Sequence, residues 1–159
     1  MTFFTKSQQQ PSSPQKEYCM VESLYSFLAT IGFSHPLHPM LTHVPMGMII
    51  GMVTFSFLGL AWRKGTLDQT AYHCSVLALI SVLPVIGAGM LDWVQFQGAE
   101  WNPLIIIKMV LGGLLTILLA VSVAMKRKNT TPLKMFLIYL LCLACAGGLG
   151  YSGGELVYG

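Results

Sequence analysis

The sequence predicts an all-α protein, a polytopic membrane four-helix bundle with a short interfacial helix before it. Hydrophobic residues make up 54% of the 159 residues and charged residues only 9%, against roughly 25% charged residues in ordinary soluble domains. The charges are clustered, which leaves four apolar stretches of about 20 residues, the length that crosses a bilayer. The basic residues flank these stretches and form no stripe, so the chain is not expected to bind nucleic acid.

The first 33 residues precede the predicted membrane domain. Residues 1–18 are rich in glutamine, serine and proline and lack an apolar core, which predicts a disordered tail and no cleavable signal peptide. In residues 19–33 apolar side chains recur every three or four positions: Met20, Val21, Leu24, Phe27, Leu28 and Ile31. This pattern predicts an amphipathic helix that is too short to span and lies in the membrane interface.

Residues 34–159 form the predicted transmembrane domain. Its spans are expected at about 39–61, 70–91, 103–125 and 132–150. The first span contains Gly47-x-x-x-Gly51, a spacing of small residues that lets another helix approach closely. In the second span Pro84, Gly87 and Gly89 are expected to kink or thin the second half of the helix, and Asp92-Trp93 to end it.

The distribution of basic residues predicts the orientation. Near the span ends, one side of the membrane holds Arg63, Lys64, Lys126, Arg127, Lys128 and Lys134. The other side holds only Lys6 and Lys16, both distant in the tail. Because basic loops stay in the cytoplasm, we expect a bacterial inner-membrane protein with both termini outside.

Three of the four histidines lie in the stretch His35-Pro36-Leu37-His38-Pro39-Met40-Leu41-Thr42-His43-Val44-Pro45, where the first span begins. The prolines stiffen this stretch, and histidine at a membrane boundary indicates function. The alternative is that the prolines shape a helix start and the histidines are hydrated among the headgroups.

The predicted topology gathers polar residues from all four spans at the outer surface. This outer-face cluster consists of His35, His38, His43, Asp92, Glu100, Lys108 and Glu155. Cofactor and metal sites of helical bundles are built from such residues. The alternative is an internal ion pair between Lys108 and Asp92 or Glu155 that fixes helix register and binds nothing.

Three chemistries could use the cluster. A b-type haem would take axial ligands from facing helices, with His38, His43 and Lys108 as candidate cofactor-binding residues. A divalent metal would use imidazole with carboxylate, and its candidate ligands are His35, His38, His43, Asp92 and Glu155. Proton or quinone chemistry could use His43 and a carboxylate as a relay.

The remaining motifs are weaker indications of function. Cys142-x-x-Cys145 lies deep in the fourth span, where thiols usually act as small apolar residues. No Ser-His-Asp spacing, phosphate-binding loop or nucleotide fingerprint is present, so the sequence does not predict an enzyme.

Three motifs resemble one family in the expected order. They are the His35–Pro45 stretch, Gly89-Met-Leu-Asp92-Trp93 and Gly153-Gly154-Glu155-Leu156-Val157-Tyr158. They resemble the bacterial four-helix membrane family catalogued as domain of unknown function 2231, over residues 34–158. Relatives joined to iron–sulfur or cytochrome domains imply electron transfer and redox membrane or periplasmic partners.

The chain departs from that family at Lys108, where relatives tend to have a histidine. Paired with His43, such a histidine would make a bis-histidine haem site across two helices. Lysine at this position leaves two hypotheses. One is a haem or metal module for electron transfer, and the other is a cofactor-free binding or assembly subunit whose polar cluster is structural.

Overall fold

The computed structural model describes residues 15–32, 35–63, 65–98, 101–128 and 130–158. Within this part of the chain there are five helices and no strand. The helices are α1 (Gln15–Thr30), α2 (Leu37–Trp62), α3 (Gly65–Gln97), α4 (Pro103–Arg127) and α5 (Pro132–Tyr158). The predicted all-α fold is confirmed.

Helices α2 to α5 are each long and apolar enough to cross a membrane, with a mean hydropathy between 1.9 and 2.6. They contain the four expected spans and extend beyond most of them. Helix α3 continues through Pro84 and past Asp92 to Gln97, and α5 continues through its glycine-rich segment to Tyr158. The extra turns carry polar residues, as is expected where helices leave the hydrocarbon.

The four long helices form a closed bundle. Helix α3 packs against α2 and α4, and α5 packs against α4 and α2. Because the connections are short, consecutive helices are antiparallel neighbours. The core between them is filled by buried side chains from every helix, including Ile49, Met52, Ala78, Leu119, Tyr139 and Cys142.

The bundle has two ends, each named here after an aspartate. The Asp92 end holds the first residues of α2 and α4 and the last residues of α3 and α5. The Asp68 end holds the opposite termini, and Arg63, Lys126, Arg127, Lys128 and Lys134 lie there.

Glycines of α2 allow close contact with α3. A β-carbon on Gly59 would lie 2.8 Å from the Asp68 Oδ1 atom and 3.4 Å from the Asp68 backbone nitrogen. A β-carbon on Gly51 would lie 3.4 Å from the Cys74 Sγ atom, whereas one on Gly47 would meet nothing within 4 Å. Of the Gly47-x-x-x-Gly51 pair, Gly51 therefore serves packing inside the bundle and Gly47 faces outward.

Helix α1 packs on the part of α3 near the Asp92 end. It begins at Gln15, so its first turn includes residues that the sequence placed in the tail. The rest of the expected tail, residues 1–14, lies outside the described residues. Among the side chains of α1 that the structure describes, residues 20–30, Val21 and Tyr25 are buried.

The polar cluster at the Asp92 end

Asp92 joins three helices through both of its carboxylate oxygens. Its Oδ1 accepts a hydrogen bond from the backbone N–H of Leu37 at 3.1 Å, and its Oδ2 accepts one from the backbone N–H of His38 at 2.8 Å. The Tyr25 hydroxyl of α1 donates a further hydrogen bond to Oδ1. Asp92, at which the second span was expected to end, therefore caps the N-terminus of α2.

This cap accounts for every backbone donor at the start of α2. The first four N–H groups of an α-helix have no partner within the helix. Here the N-cap is Pro36, which has no capping side chain, and the third helical residue is Pro39. Prolines lack an N–H, so only Leu37 and His38 remain, and Asp92 binds both. Its negative charge also suits the positive end of the helix dipole.

Tyr25 is the member of this cluster that the sequence did not predict. Its ring is 7% exposed and packs edge-on against Phe96, with ring centroids 5.4 Å apart. Burial, followed by the hydrogen bond to Asp92 and the charge of that carboxylate, raises the pKa of the Tyr25 hydroxyl above its ordinary value of 10.0. Tyr25 lies four residues after Val21 and three before Leu28. This spacing indicated that Tyr25 lies on a buried side of α1, but it indicated no polar partner.

His38 is held against the backbone of α3. Its Nδ1 atom lies 3.0 Å from the Val85 carbonyl oxygen. Because a carbonyl can only accept, Nδ1 carries the hydrogen, and in the neutral ring Nε2 carries the lone pair. The ring fits there because residue 89 is glycine: a β-carbon at this position would lie 2.9 Å from Nδ1.

His43 lies on the outside of the bundle. It is exposed, and its Nδ1 is 2.9 Å from the Pro39 carbonyl oxygen one turn earlier. The buried residues of α2 include Pro45 and Ile49, and at about 100° per residue His43 lies roughly opposite Pro45 on the helix. His35 is exposed just before α2.

Lys108 is half-buried and extends toward α5. Its Nζ atom lies 3.9 Å from the place where a β-carbon on Gly153 would stand. The Asp92 carboxylate interacts electrostatically with this ammonium group, although the two form no ion pair within hydrogen-bond distance. Lys108 thus faces the interior, whereas His43 faces away from it, so the two do not form a matched pair across the bundle.

Glu155 has a partner on its own helix. The Tyr151 hydroxyl donates a hydrogen bond to its Oε1 at 3.1 Å, and both side chains are exposed. Glu100 lies outside the described residues. Among the side chains that the structure describes, no three histidine, cysteine, aspartate or glutamate residues come together to hold a metal ion. The structure thus brings His38 and Asp92 to one junction and leaves His43 and Glu155 on the surface.

The three thiols that the structure describes lie away from this cluster. Cys74, Cys142 and Cys145 are free, and Cys142 is buried. Cys142 packs in the core with Tyr139, whose hydroxyl interacts with Ser75 of α3. In this setting the thiols act as small apolar side chains.

The fold and the polar cluster define the class of protein. It is an integral membrane protein with four spanning helices and hydrogen-bonded polar groups at one end of the bundle. Residues 34–159 match the family described as a predicted membrane protein, DUF2231. The chain belongs to this family, which covers α2 to α5 and the motifs that resemble it. No curated protein and no solved structure matches the chain.

Proposed function

We propose that the protein is an assembly subunit of a membrane complex, in which the polar cluster at the Asp92 end is structural and binds no cofactor. The observation that carries this proposal is that both oxygens of the Asp92 carboxylate accept hydrogen bonds within the protein, from Leu37, His38 and Tyr25. A carboxylate that caps one helix and anchors a second one already has a structural role, and this role explains its position without a bound metal.

The outward-facing glycines support a role in assembly. Gly47, Gly87, Gly113 and Gly147 are exposed, and beyond the neighbouring backbone of its own helix a β-carbon built on any of them would meet nothing within 4 Å. Glycine inside a helix costs about 0.5–1 kcal/mol relative to alanine, and these positions give no packing inside the bundle in return. Small residues on a spanning helix favour close approach by another helix, so these surfaces suit neighbouring membrane proteins.

The proposed setting is the bacterial inner membrane with both termini outside. Basic residues are concentrated at the Asp68 end of the bundle, which is therefore the proposed cytoplasmic end. The Asp92 end then faces the periplasm. Partners of the assembly would meet this chain through its spanning helices and through that end.

The Asp92→Asn variant tests the structural role of the cluster. An asparagine side chain keeps only one oxygen acceptor, so one donor at the start of α2 loses its partner. We expect a loss of about 1–3 kcal/mol of stability, measured as a lower thermal midpoint in mild detergent. Glu155→Gln is the matched control, because its amide oxygen can still accept the bond from the exposed Tyr151. An equal effect of the two variants would contradict the proposal.

The Gly47→Leu variant tests assembly. The complex that contains this variant should migrate as a smaller species in native gels of solubilised membranes. The thermal midpoint of the isolated chain should be unchanged. Gly51→Leu would not serve, because Gly51 packs against Cys74 inside the bundle. A wild-type chain that migrates alone in every mild detergent would sink the assembly proposal.

A haem or metal module serving electron transfer is the second candidate. His38 and His43 both place Nδ1 on a backbone carbonyl, which is the arrangement that orients the other ring nitrogen toward a bound metal. Haem b or a divalent metal would then bind at Nε2, and redox membrane or periplasmic proteins would be the partners. A second ligand for the exposed His43 would have to come from outside this bundle.

The purified protein distinguishes the two candidates. An absorption spectrum with a Soret band, or stoichiometric iron, copper or zinc, would favour the redox module. Loss of that signal in His43→Ala with an unchanged thermal midpoint would assign the ligand. A colourless protein without stoichiometric metal, combined with an unstable Asp92→Asn variant, would favour the structural cluster.

A further inference from the structure

Helix α1 has two apolar sides, and only one of them packs on the bundle. Val21 and Tyr25 are buried, and α1 packs on α3. Met20, Leu24, Phe27 and Ile31 are 40–71% exposed. The last four recur at spacings of four, three and four residues, so they lie along one face of α1 and of the turn that follows it.

The bond between Tyr25 and Asp92 fixes the depth of this face. Asp92 lies near the end of a spanning helix, five residues before Gln97. Beside it, the rings of Trp93 and Trp101 have centroids 5.0 Å apart. Tryptophan is enriched where the hydrocarbon meets the headgroups. Helix α1 is therefore held at the level of the membrane boundary.

The composition of the exposed face matches a lipid surface. Its four large side chains are all apolar and uncharged, and polar residues such as Glu22 and Ser26 lie on another side, along an open groove with Gln95 and Phe96. An amphipathic helix at this depth lies in the interface plane, with its apolar face buried about 5–10 Å below the headgroups. At this level, the apolar material that surrounds a membrane-spanning bundle is the lipid leaflet.

We propose that α1 is a clamp that is anchored in the membrane by its exposed apolar face. Its Met20/Leu24/Phe27/Ile31 face inserts into the leaflet at the Asp92 end of the bundle, while Tyr25 on the opposite side holds the carboxylate that caps α2. Insertion keeps the Tyr25 hydroxyl close to Asp92, and the bond keeps the apolar face at the depth of the leaflet. Membrane contact by α1 and completion of the α2 cap thus support each other.

Site-directed spin labelling of the full-length protein in phosphatidylcholine–phosphatidylglycerol vesicles tests the lipid contact. Labels are placed at Phe27→Cys and, as the matched control on the next residue, at Ser26→Cys, with the four native cysteines changed to alanine. The Phe27 label should collide more with oxygen, which concentrates in lipid, and the Ser26 label more with a water-soluble nickel chelate. A Phe27 label that favours the nickel chelate would overturn the proposal and leave the face free for a protein partner.

The Tyr25→Phe variant tests the clamp itself. The Phe27 label should stay in lipid but become more mobile, because α1 has lost its bond to the bundle. Tyr151→Phe removes the other tyrosine–carboxylate bond at this end and should leave the label unchanged. Equal mobility in Tyr25→Phe and the parent would overturn the coupling.

A second readout covers the case in which the cysteine-free chain does not accumulate. Phe27→Trp and Ser26→Trp are then compared in the native background with brominated lipids. Both variants contain the same three native tryptophans, so a difference in quenching between the variants comes from the tryptophan introduced at residue 26 or 27. Stronger quenching of Phe27→Trp is expected, and stronger quenching of Ser26→Trp would contradict the lipid contact.

Discussion

The imidazole of His38 lies directly on the backbone of α3 at Gly89. A β-carbon on residue 89 would lie 2.9 Å from the Nδ1 atom and 3.2 Å from the Cε1 atom of His38. The ring cannot move aside without losing the hydrogen bond between Nδ1 and the Val85 carbonyl oxygen. The histidine that begins the first span and the glycine that precedes Asp92 therefore form one packing unit.

Gly89→Ala should destabilise the protein in the native background. The added methyl group displaces the His38 ring, and such overpacking costs about 1–3 kcal/mol. In a His38→Ala background the same change should stabilise, because alanine is preferred over glycine inside a helix by about 0.5–1 kcal/mol. Thermal midpoints of the four proteins in one detergent measure this cycle. The same sign of effect in both backgrounds would mean that the contact does not control stability.

Gly59→Ala should destabilise the Asp68 end of the bundle. Its methyl group would lie 2.8 Å from the Asp68 Oδ1 atom and 3.4 Å from the Asp68 backbone nitrogen, so either the carboxylate must rotate away or the two helices must separate. Gly47→Ala is the control on the same helix, since nothing lies within 4 Å of the new atom. We expect a lower thermal midpoint for the first variant and an equal or higher one for the second, and the reverse order would contradict the packing described.

Tyr25→Phe should cost about 1–3 kcal/mol, and this cost should depend on alkaline pH. The pKa of Tyr25 is raised in the folded protein, so its bond to Asp92 contributes fully below the ordinary pKa of 10.0 and is lost as pH rises through the folded pKa. The difference in thermal midpoint between wild type and variant should therefore be constant from pH 7 to 9 and shrink above about pH 10. A difference that already vanishes between pH 6 and 8 would point to another group.

Cysteine labelling tests the proposed orientation. In a cysteine-free background, Gln97→Cys at the end of α3 should react with an impermeant maleimide in intact spheroplasts. Lys128→Cys, just after α4 at the opposite end of the bundle, should react only after lysis. Reaction of Lys128→Cys alone would reverse the orientation, and reaction of both would contradict the number of spans.

The spans and the gathering of polar groups at one end could be predicted from the sequence because both depend on local properties. The length of an apolar stretch decides whether it can cross the bilayer, and short connections make neighbouring helices antiparallel. These two facts already place His38 and Asp92 at the same end. The full extent of α3 and α5 was less predictable, because glycine is common in spanning helices and does not end them.

The partners within the cluster could not be predicted in the same way. Helix α2 is apolar on all sides, so its sequence pattern does not show which face turns inward, and His43 was expected in the cluster although it lies outside the bundle. Tyr25 meets Asp92 across 67 residues of chain, a pairing that depends on how α1 packs on α3. The position of Lys108 over Gly153 depends likewise on the rotation of α4.

The cap of α2 is supplied by a residue that is made 54 positions after His38. When α2 first leaves the ribosome, its Leu37 and His38 N–H groups can be satisfied only by water. They acquire a protein acceptor once α3 has returned through the membrane and carried Asp92 to the same side. The α2–α3 hairpin is therefore the shortest piece of this chain that can enter a bilayer with the start of α2 fully bonded.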